Sequence, residues 1–380
     1  MFNSYEGIHL TLLIGQAVPR PASLIVMQHF VSVEVAVSSR ERSGFEMVFN
    51  AVRAGKLVGI YPIMAEPGLQ AGARVVIVST IGVRPQVLID GIIETAEFKP
   101  TDNNTPAKLH VRGKDLTFIM DREEREDTHP AQGPGEIASV ILLRYARYGI
   151  IPMVIPPMAA ERPNPIDRVP MQRGTDFTYL TELANLHDRI FTLFFSPVPL
   201  TSVAYWGPPP RIGAPQSAIT TDMGPETNVS NLNFENTAGE AAEVKGDVMD
   251  RQTGQTIPVR STAPFRPPLA IRSALSNPTI IRHNLFNTNG APTAAQAMGE
   301  AQSQSDSLSD TLTVTGDLDT GKYGSVLMPN ALVGLRGAGF DHDGLYYVDS
   351  VVHKIEQGSW SQSFTLNREG VGTTVPVVMP

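Results

Sequence analysis

The feature that most constrains this fold lies in residues 331–368, near the C-terminus. A Gly-rich segment, Val333-Gly334-Leu335-Arg336-Gly337-Ala338-Gly339-Phe340, turns through Asp341-His342-Asp343-Gly344 into a run of large residues ending at Ile355. After Glu356-Gln357-Gly358-Ser359 the chain alternates. Trp360, Phe364 and Leu366 fall on one side, and Ser361, Ser363, Thr365 and Asn367 on the other. Side chains alternate across a strand, so the pattern predicts a β-hairpin with one dry face and one polar face. Its expected core residues are Trp360, Phe364, Leu366, Tyr347 and Val351. A lone hairpin is marginal in water, so the rest of the chain must supply the sheet that this one closes.

Composition narrows what that sheet belongs to. Gly 32 and Pro 31, with only 18% charged residues, suit short strands and loops better than helical bundles. A chain of 380 residues exceeds one ordinary core, which implies about two to four domains. The net charge of −8 gives no external basic patch, so no stable nucleic-acid binding is expected. With no cysteine, disulfides, thiolate catalysis and Cys-based metal sites are excluded. Residues 1–16 lack a basic start followed by an apolar run, so no signal peptide is expected. No stretch approaches the roughly 20 apolar residues of a membrane span. The expected product is a soluble protein made in the cytoplasm.

The chain in order predicts mainly β structure with a small α/β module. Residues 1–125 form a first β-domain, in which Val31, Val33, Val35 and Val37 alternate with Ser32, Glu34 and Ala36. The mixed-charge run 121–127 reads as a solvated connector at the domain edge. Residues 126–198 form the α/β module. Ile137, Val140, Ile141, Tyr145 and Tyr148 have helical spacing, and a second helix starts at Thr175 or Asp176. Between them, prolines from Pro152 to Pro170 argue against regular structure. A second β-domain spans 199–263 and 311–372, split by a polar insertion or linker at 264–310. Within that insertion a short helix is expected around residues 293–302, and 373–380 form a tail.

Three stretches resemble one family. The first runs from Asp90-Gly91-Ile92-Ile93-Glu94 through Gly113-Lys114-Asp115-Leu116. The second is Arg173-Gly174-Thr175-Asp176-Phe177-Thr178-Tyr179-Leu180, continuing to Ala184. The third is the hairpin from Gly344-Leu345-Tyr346-Tyr347-Val348 through His353 to Arg368. Their succession resembles the baseplate hub of contractile phage tails, the late control protein D or tail hub family. It is also similar to the N-terminal half of type VI valine-glycine-repeat spike proteins. The resemblance implies two tail-tube-like β-barrel domains per subunit and a homotrimer whose six barrels match a hexameric tail tube on one side and a trimeric spike on the other. It implies a structural rather than enzymatic role, with no cofactor. The implied partners are the tail tube protein, a separate spike protein and other baseplate proteins, in a phage tail or phage-like injection particle assembled in the cytoplasm. An acidic or neutral lumen would let cargo pass.

Other residue groups could suggest different chemistry. Asp341-His342-Asp343 with His353 could supply metal ligands, but Asp and Gly at a strand entry read as a turn. Asp317-x-Asp319-x-Gly321 lacks the further ligands of a calcium loop. Gly334, Gly337 and Gly339 have the wrong spacing for a dinucleotide fingerprint. Ser359-Trp360-Ser361 is no nucleophile elbow. His187 reads as a core-edge residue, and Tyr205-Trp206 as packing rather than a partner contact. The competing functions are a tail-associated cell-wall hydrolase and a carbohydrate-binding adhesin.

Overall fold

A computed structural model of the chain describes residues 8–16, 18–53, 61–100, 106–157, 162–166, 168–250, 253–261, 266–286 and 293–375. Two β-shells share one 13-stranded sheet. The first shell contains Ile8–Gly15, Phe30–Ser38, Gly44–Asn50, Arg74–Ile81, Arg84–Lys99 and Lys108–Asp115. The second contains Gln216–Thr220, Val229–Asn236, Leu312–Asp319, Leu332–Arg336, Gly344–Glu356 and Ser359–Arg368. Numbered from its own first strand, each shell is hydrogen-bonded in the order 2-3-6-5-4-1. The pairings match in direction except one: strands 1 and 4 are antiparallel in the first shell and parallel in the second. The protein is mainly β with a small α/β part, as the strand spacing predicts.

Alternation builds both cores. Val33, Val35 and Val37 of Phe30–Ser38 point inward with Phe45, Met47 and Phe49 of the next strand, forming the first core with Val75, Ile77 and Ile89. The second core gathers Val314, Leu318, Leu335, Tyr346, Val348, Val351, Phe364 and Leu366. Burying one such aliphatic side chain is worth roughly 1.5–3 kcal/mol, so each shell can hold its curvature without disulfides.

The α/β part sits against the first core. Its helix Pro134–Leu143 opens with Pro at the first turn, and the Gly133 amide donates to the Glu136 carboxylate at 3.0 Å. Its second helix, Asp176–Leu186, is capped by Thr175, whose hydroxyl accepts from the Thr178 amide. Three expectations change here. The strand Ser202–Gly207 pairs with Ile190–Phe195 and Ile150–Val154, so the module extends past the expected boundary at 198. Pro152 lies within Ile150–Val154, which pairs on one side only, where a missing N–H disturbs no ladder. The charged run is no mere connector, because Glu124–Thr128 pairs as a strand with Met171–Thr175.

A further difference concerns the insertion. The hairpin of Ala242–Met249 and Thr256–Arg260, expected in the second β-domain, instead forms a three-stranded sheet with Arg282–Leu285. The helix Ala294–Ser307 lays Ala297 and Ala301 on Val244, Val248 and Val259 of that sheet. Its small apolar residues are too few to be noticed in a polar sequence, yet they suffice for a separate core. The inserted body therefore begins after Asn236, between strands 2 and 3 of the second shell. In the first shell the same position is a short turn between Ser38 and Gly44.

Candidate assembly interface

The strand Gly344–Glu356 outruns its own shell. Its first residues pair with Leu332–Arg336, while residues 350–356 pair antiparallel with residues 32–38 of the first shell. The two shells thus meet through main-chain hydrogen bonds rather than a soft interface. Val351 stands opposite Val37, His353 opposite Val35 and Ile355 opposite Val33, all buried. On the other face Lys354 lies opposite Glu34, a favourable cross-strand charge pair. The Ser39 amide donates to the Asp349 carbonyl at 2.8 Å, and the Ser39 hydroxyl donates to the Asp349 carboxylate.

His353 is the unusual member of this junction. It is fully buried, edge-on to Trp360 with centroids 6.1 Å apart, and neither ring nitrogen has a hydrogen-bond partner. Burial pushes its pKa down to about 3, so the ring is neutral. Gln362, next on the same buried face, is satisfied: its amide donates to Thr320 Oγ1 at 3.0 Å, and its carbonyl accepts from the Leu327 amide at 2.8 Å.

A second tie is ionic. Arg211 contacts Asp310 and Glu369, while Arg266 reaches Asp310 at 3.1 Å and Asp188 at 2.5 Å. Burial works against the charge on Arg266, but Asp188 and Asp310 outweigh it and raise its pKa. Glu369 also accepts the amides of Leu269 and Ala270, at 2.5 and 2.7 Å. This buried cluster fastens the α/β part, the segment after the insertion's hairpin and the second shell to one another.

The expected hairpin core divides. Phe364, Leu366 and Val351 meet in the second core. Trp360 instead packs into the first core with Ile355, because the hairpin tip reaches across the junction. Tyr347 lies on the opposite face with Leu269 and Leu332. The cause is a bulge between Val348 and Ser350, which swaps the side to which odd-numbered residues point. Polar residues on the dry face, Gln362 and Arg368, were missed. The alternation through Trp360, Phe364 and Leu366 was the signal that could have found them. Arg368 donates to the carbonyls of Gly370, Asp343 and Asp341 at 2.8, 3.0 and 2.6 Å and stacks on Tyr346. It thereby pins the 341–343 turn.

The remaining candidates serve structure. Asp343 accepts the Ala338 amide at 2.8 Å, and His342 stacks on Phe234. Asp319 caps the short helix Thr320–Tyr323, and Asp317 accepts from Asn231 and Ser363. Gly337, at φ 92°, is required because a Cβ there would lie 1.9 Å from the Thr221 carbonyl oxygen. His187 is half-buried, its pKa pushed down to about 4 by burial and by Arg189. Trp206 donates to the Leu180 carbonyl at 3.2 Å and Tyr205 to that of Pro208 at 2.6 Å, so both pack internally. Among the described residues no helix is long and apolar enough to cross a membrane.

Among the open strand edges of the described residues are two in the shared sheet. Residues 94–99, the end of Arg84–Lys99, pair with Lys108–Asp115 on one side and with no described strand on the other. Val229–Asn236 ends the sheet, paired only to Leu312–Asp319. A tail protein from Neisseria meningitidis MC58 matches at TM-score 0.65 and 12% identity, covering 96% of this chain and 98% of that one. The fold is that of phage tail proteins. The 43 kDa tail protein of prophage MuSo2 from Shewanella oneidensis matches this tail-protein fold at TM-score 0.63 and 12% identity, over 95% and 98% of the two chains. An E. coli type VI secretion component, described as structurally similar to T4 tail proteins gp27 and gp5, matches at TM-score 0.55 and 12% identity, over 93% and 78%. No family model and no curated sequence matches the chain.

Proposed function

We propose that this protein is the structural baseplate hub of a contractile phage tail or phage-derived injection system. It acts as a homotrimeric adaptor between a hexameric tail tube and a trimeric spike supplied as a separate protein. The observation that carries the reading is the repeated strand order in one chain. Three copies then offer six shells of one strand order to the tube while keeping three-fold symmetry toward the spike and other baseplate proteins. The sheet face opposite the two cores carries Glu34, Glu46, Arg112, Lys354, Ser361 and Thr365, and in this reading that mixed polar surface lines the channel of the trimeric ring. The buried carboxylates have structural partners: Asp90 with Arg74, Asp176 with Arg144, Tyr145 and Gln172. These two carboxylates thus serve packing rather than the acid–base pair of a hydrolase.

The test is native mass spectrometry at tens of micromolar, where a species of three times 41.1 kDa is expected. Co-sedimentation with separately purified tail tube protein then checks the adaptor role. A strictly monomeric chain that also clears peptidoglycan turbidity would replace this reading with the hydrolase.

A further inference from the structure

The two shells match residue by residue around their fifth strands. In the first, the Ile93 amide donates to the Ala73 carbonyl at 2.9 Å and the Gly72 amide to the Ile93 carbonyl at 2.8 Å. In the second, the Val348 amide donates to the Ala331 carbonyl at 2.9 Å and the Asn330 amide to the Val348 carbonyl at 2.9 Å. Gly72 and Asn330 both have positive φ, 87° and 63°. A register shift follows in each case, between Ile93 and Thr95 and between Val348 and Ser350. Ile93 therefore corresponds to Val348, Thr95 to Ser350 and Phe98 to His353.

The second strands align through the same ladder. Ile93 pairs with Gly113, Gly113 with Phe45 and Phe45 with Val35. Val348 pairs with Leu366, Leu366 with Val314 and Val314 with Phe234. Phe234 thus corresponds to Val35. Within the chain, the fifth strand of the second shell is paired beyond its bulge to the second strand of the first, with His353 opposite Val35. The reciprocal contact is missing: residues 95–99 and residues 233–236 are the open edges described above.

We propose that residues 95–99 of one protomer pair antiparallel with residues 233–237 of a second copy, in the register fixed by the internal junction. Phe98 stands opposite Phe234, Glu97 opposite Glu235 and Ala96 opposite Asn236. Each phenylalanine is half-buried against its own shell, Phe98 on Tyr61 and Phe234 on His342, so the pairing covers an existing dry face. The like charges at Glu97 and Glu235 have cations at hand, since Glu97 already lies 3.4 Å from Arg112 and 3.8 Å from Lys99. Repeated three times, this contact alternates with the internal junction and closes a ring. The inference rests on the trimeric reading and gives it a residue-level contact.

The chain has no cysteine, so introduced pairs report cleanly. In the full-length double variant Glu97→Cys/Glu235→Cys, mild oxidation should convert most of the protein to covalent dimers and trimers on a non-reducing gel, reversed by reductant. Mixing the two single variants should stop at dimers. The displaced pair Glu97→Cys/Phe234→Cys should link at least tenfold less. Ala36→Cys/Val352→Cys, at the internal junction, should link within one chain and so verifies folding and oxidation. If native mass shows a trimer but Glu97→Cys/Glu235→Cys stays unlinked, or the displaced pair links better, the proposed edge is wrong while the trimer stands. A monomer that forms no link in any intermolecular pair overturns both.

Discussion

Replacing His353 with Phe tests whether the two shells share one dry junction. The imidazole is buried with both nitrogens unpartnered, and burial alone accounts for its lowered pKa. In the unfolded chain it takes up a proton near 6.5; in the folded chain only near 3. A base with a depressed folded pKa keeps its full contribution above 6.5 and loses stability as pH falls toward 3. At pH 4.5 the unfolded state has gained about two pK units of protonation, or about 3 kcal/mol. His353→Phe keeps the ring, removes the titration and frees two nitrogens from unsatisfied burial, a gain of about 1 kcal/mol at pH 7.5. The corresponding position in the first shell holds Phe98, so an aromatic ring of that size suits this place in the strand. Urea unfolding of both proteins at pH 7.5, 6.0 and 4.5 should show the variant's advantage widening by about 3 kcal/mol. Other titrating groups, including His187, cancel in that difference. Parallel stability curves for the two proteins would mean that His353 is hydrated or partnered, and the dry junction would be refuted.

Three other substitutions probe separate parts of the argument. Trp360→Ala should cost about 3–5 kcal/mol, read as a lowered urea midpoint, since the indole fills the first core at the hairpin tip. Arg266→Ala leaves Asp188 buried without its partner and should cost about 3–5 kcal/mol; a near-neutral melt would show that the cluster is hydrated. Asp115 is buried, and burial raises its pKa to about 6 against the hydrogen bonds from Thr117. With the folded pKa above the unfolded 3.8, its contribution is complete below 3.8 and falls by up to ~3 kcal/mol as pH rises through 6. Asp115→Asn keeps the acceptor for the Thr117 amide and should remove that slope, leaving the variant the more stable protein at pH 8.

Period-two alternation made the strands legible, and caps made the helices so. Thr175 marked the start of Asp176–Leu186, and valines 31–37 marked the strand Phe30–Ser38. What escaped was set by partners far away in sequence. Nothing local shows that Asp349 sits in a bulge, yet that bulge turns Tyr347 away from Val351. Nor does the hairpin's own pattern show that Trp360 belongs to a different core from Phe364, because the strand it packs under lies more than 300 residues earlier. The ionic cluster was invisible for the same reason. Arg211, Arg266, Asp188 and Glu369 look like ordinary surface residues until the fold brings them together.

The internal junction and the proposed edge occupy one place in the repeated strand order but differ in polarity, with Glu235 and Asn236 where the closed strand has Ala36 and Val37. In the permanent one, Val33, Val35 and Val37 face the core and are never exposed once the chain has folded. At the open edge, the matching stretch reads Leu232-Asn233-Phe234-Glu235-Asn236, with half-buried Leu232 and Phe234 set among exposed Asn233, Glu235 and Asn236. An unpaired edge of alternating valines would capture any passing strand, whereas an edge bearing Asn and Glu pairs weakly until register and neighbouring contacts agree. The difference between the valine strand and its polar counterpart is thus what the proposed assembly requires of a folded monomer. Making both faces of the open edge apolar, as in Asn233→Val/Glu235→Val, should therefore broaden the proposed trimer into concentration-dependent aggregates on size-exclusion chromatography. A sharp trimer peak from that variant would show that edge polarity plays no part in controlling assembly.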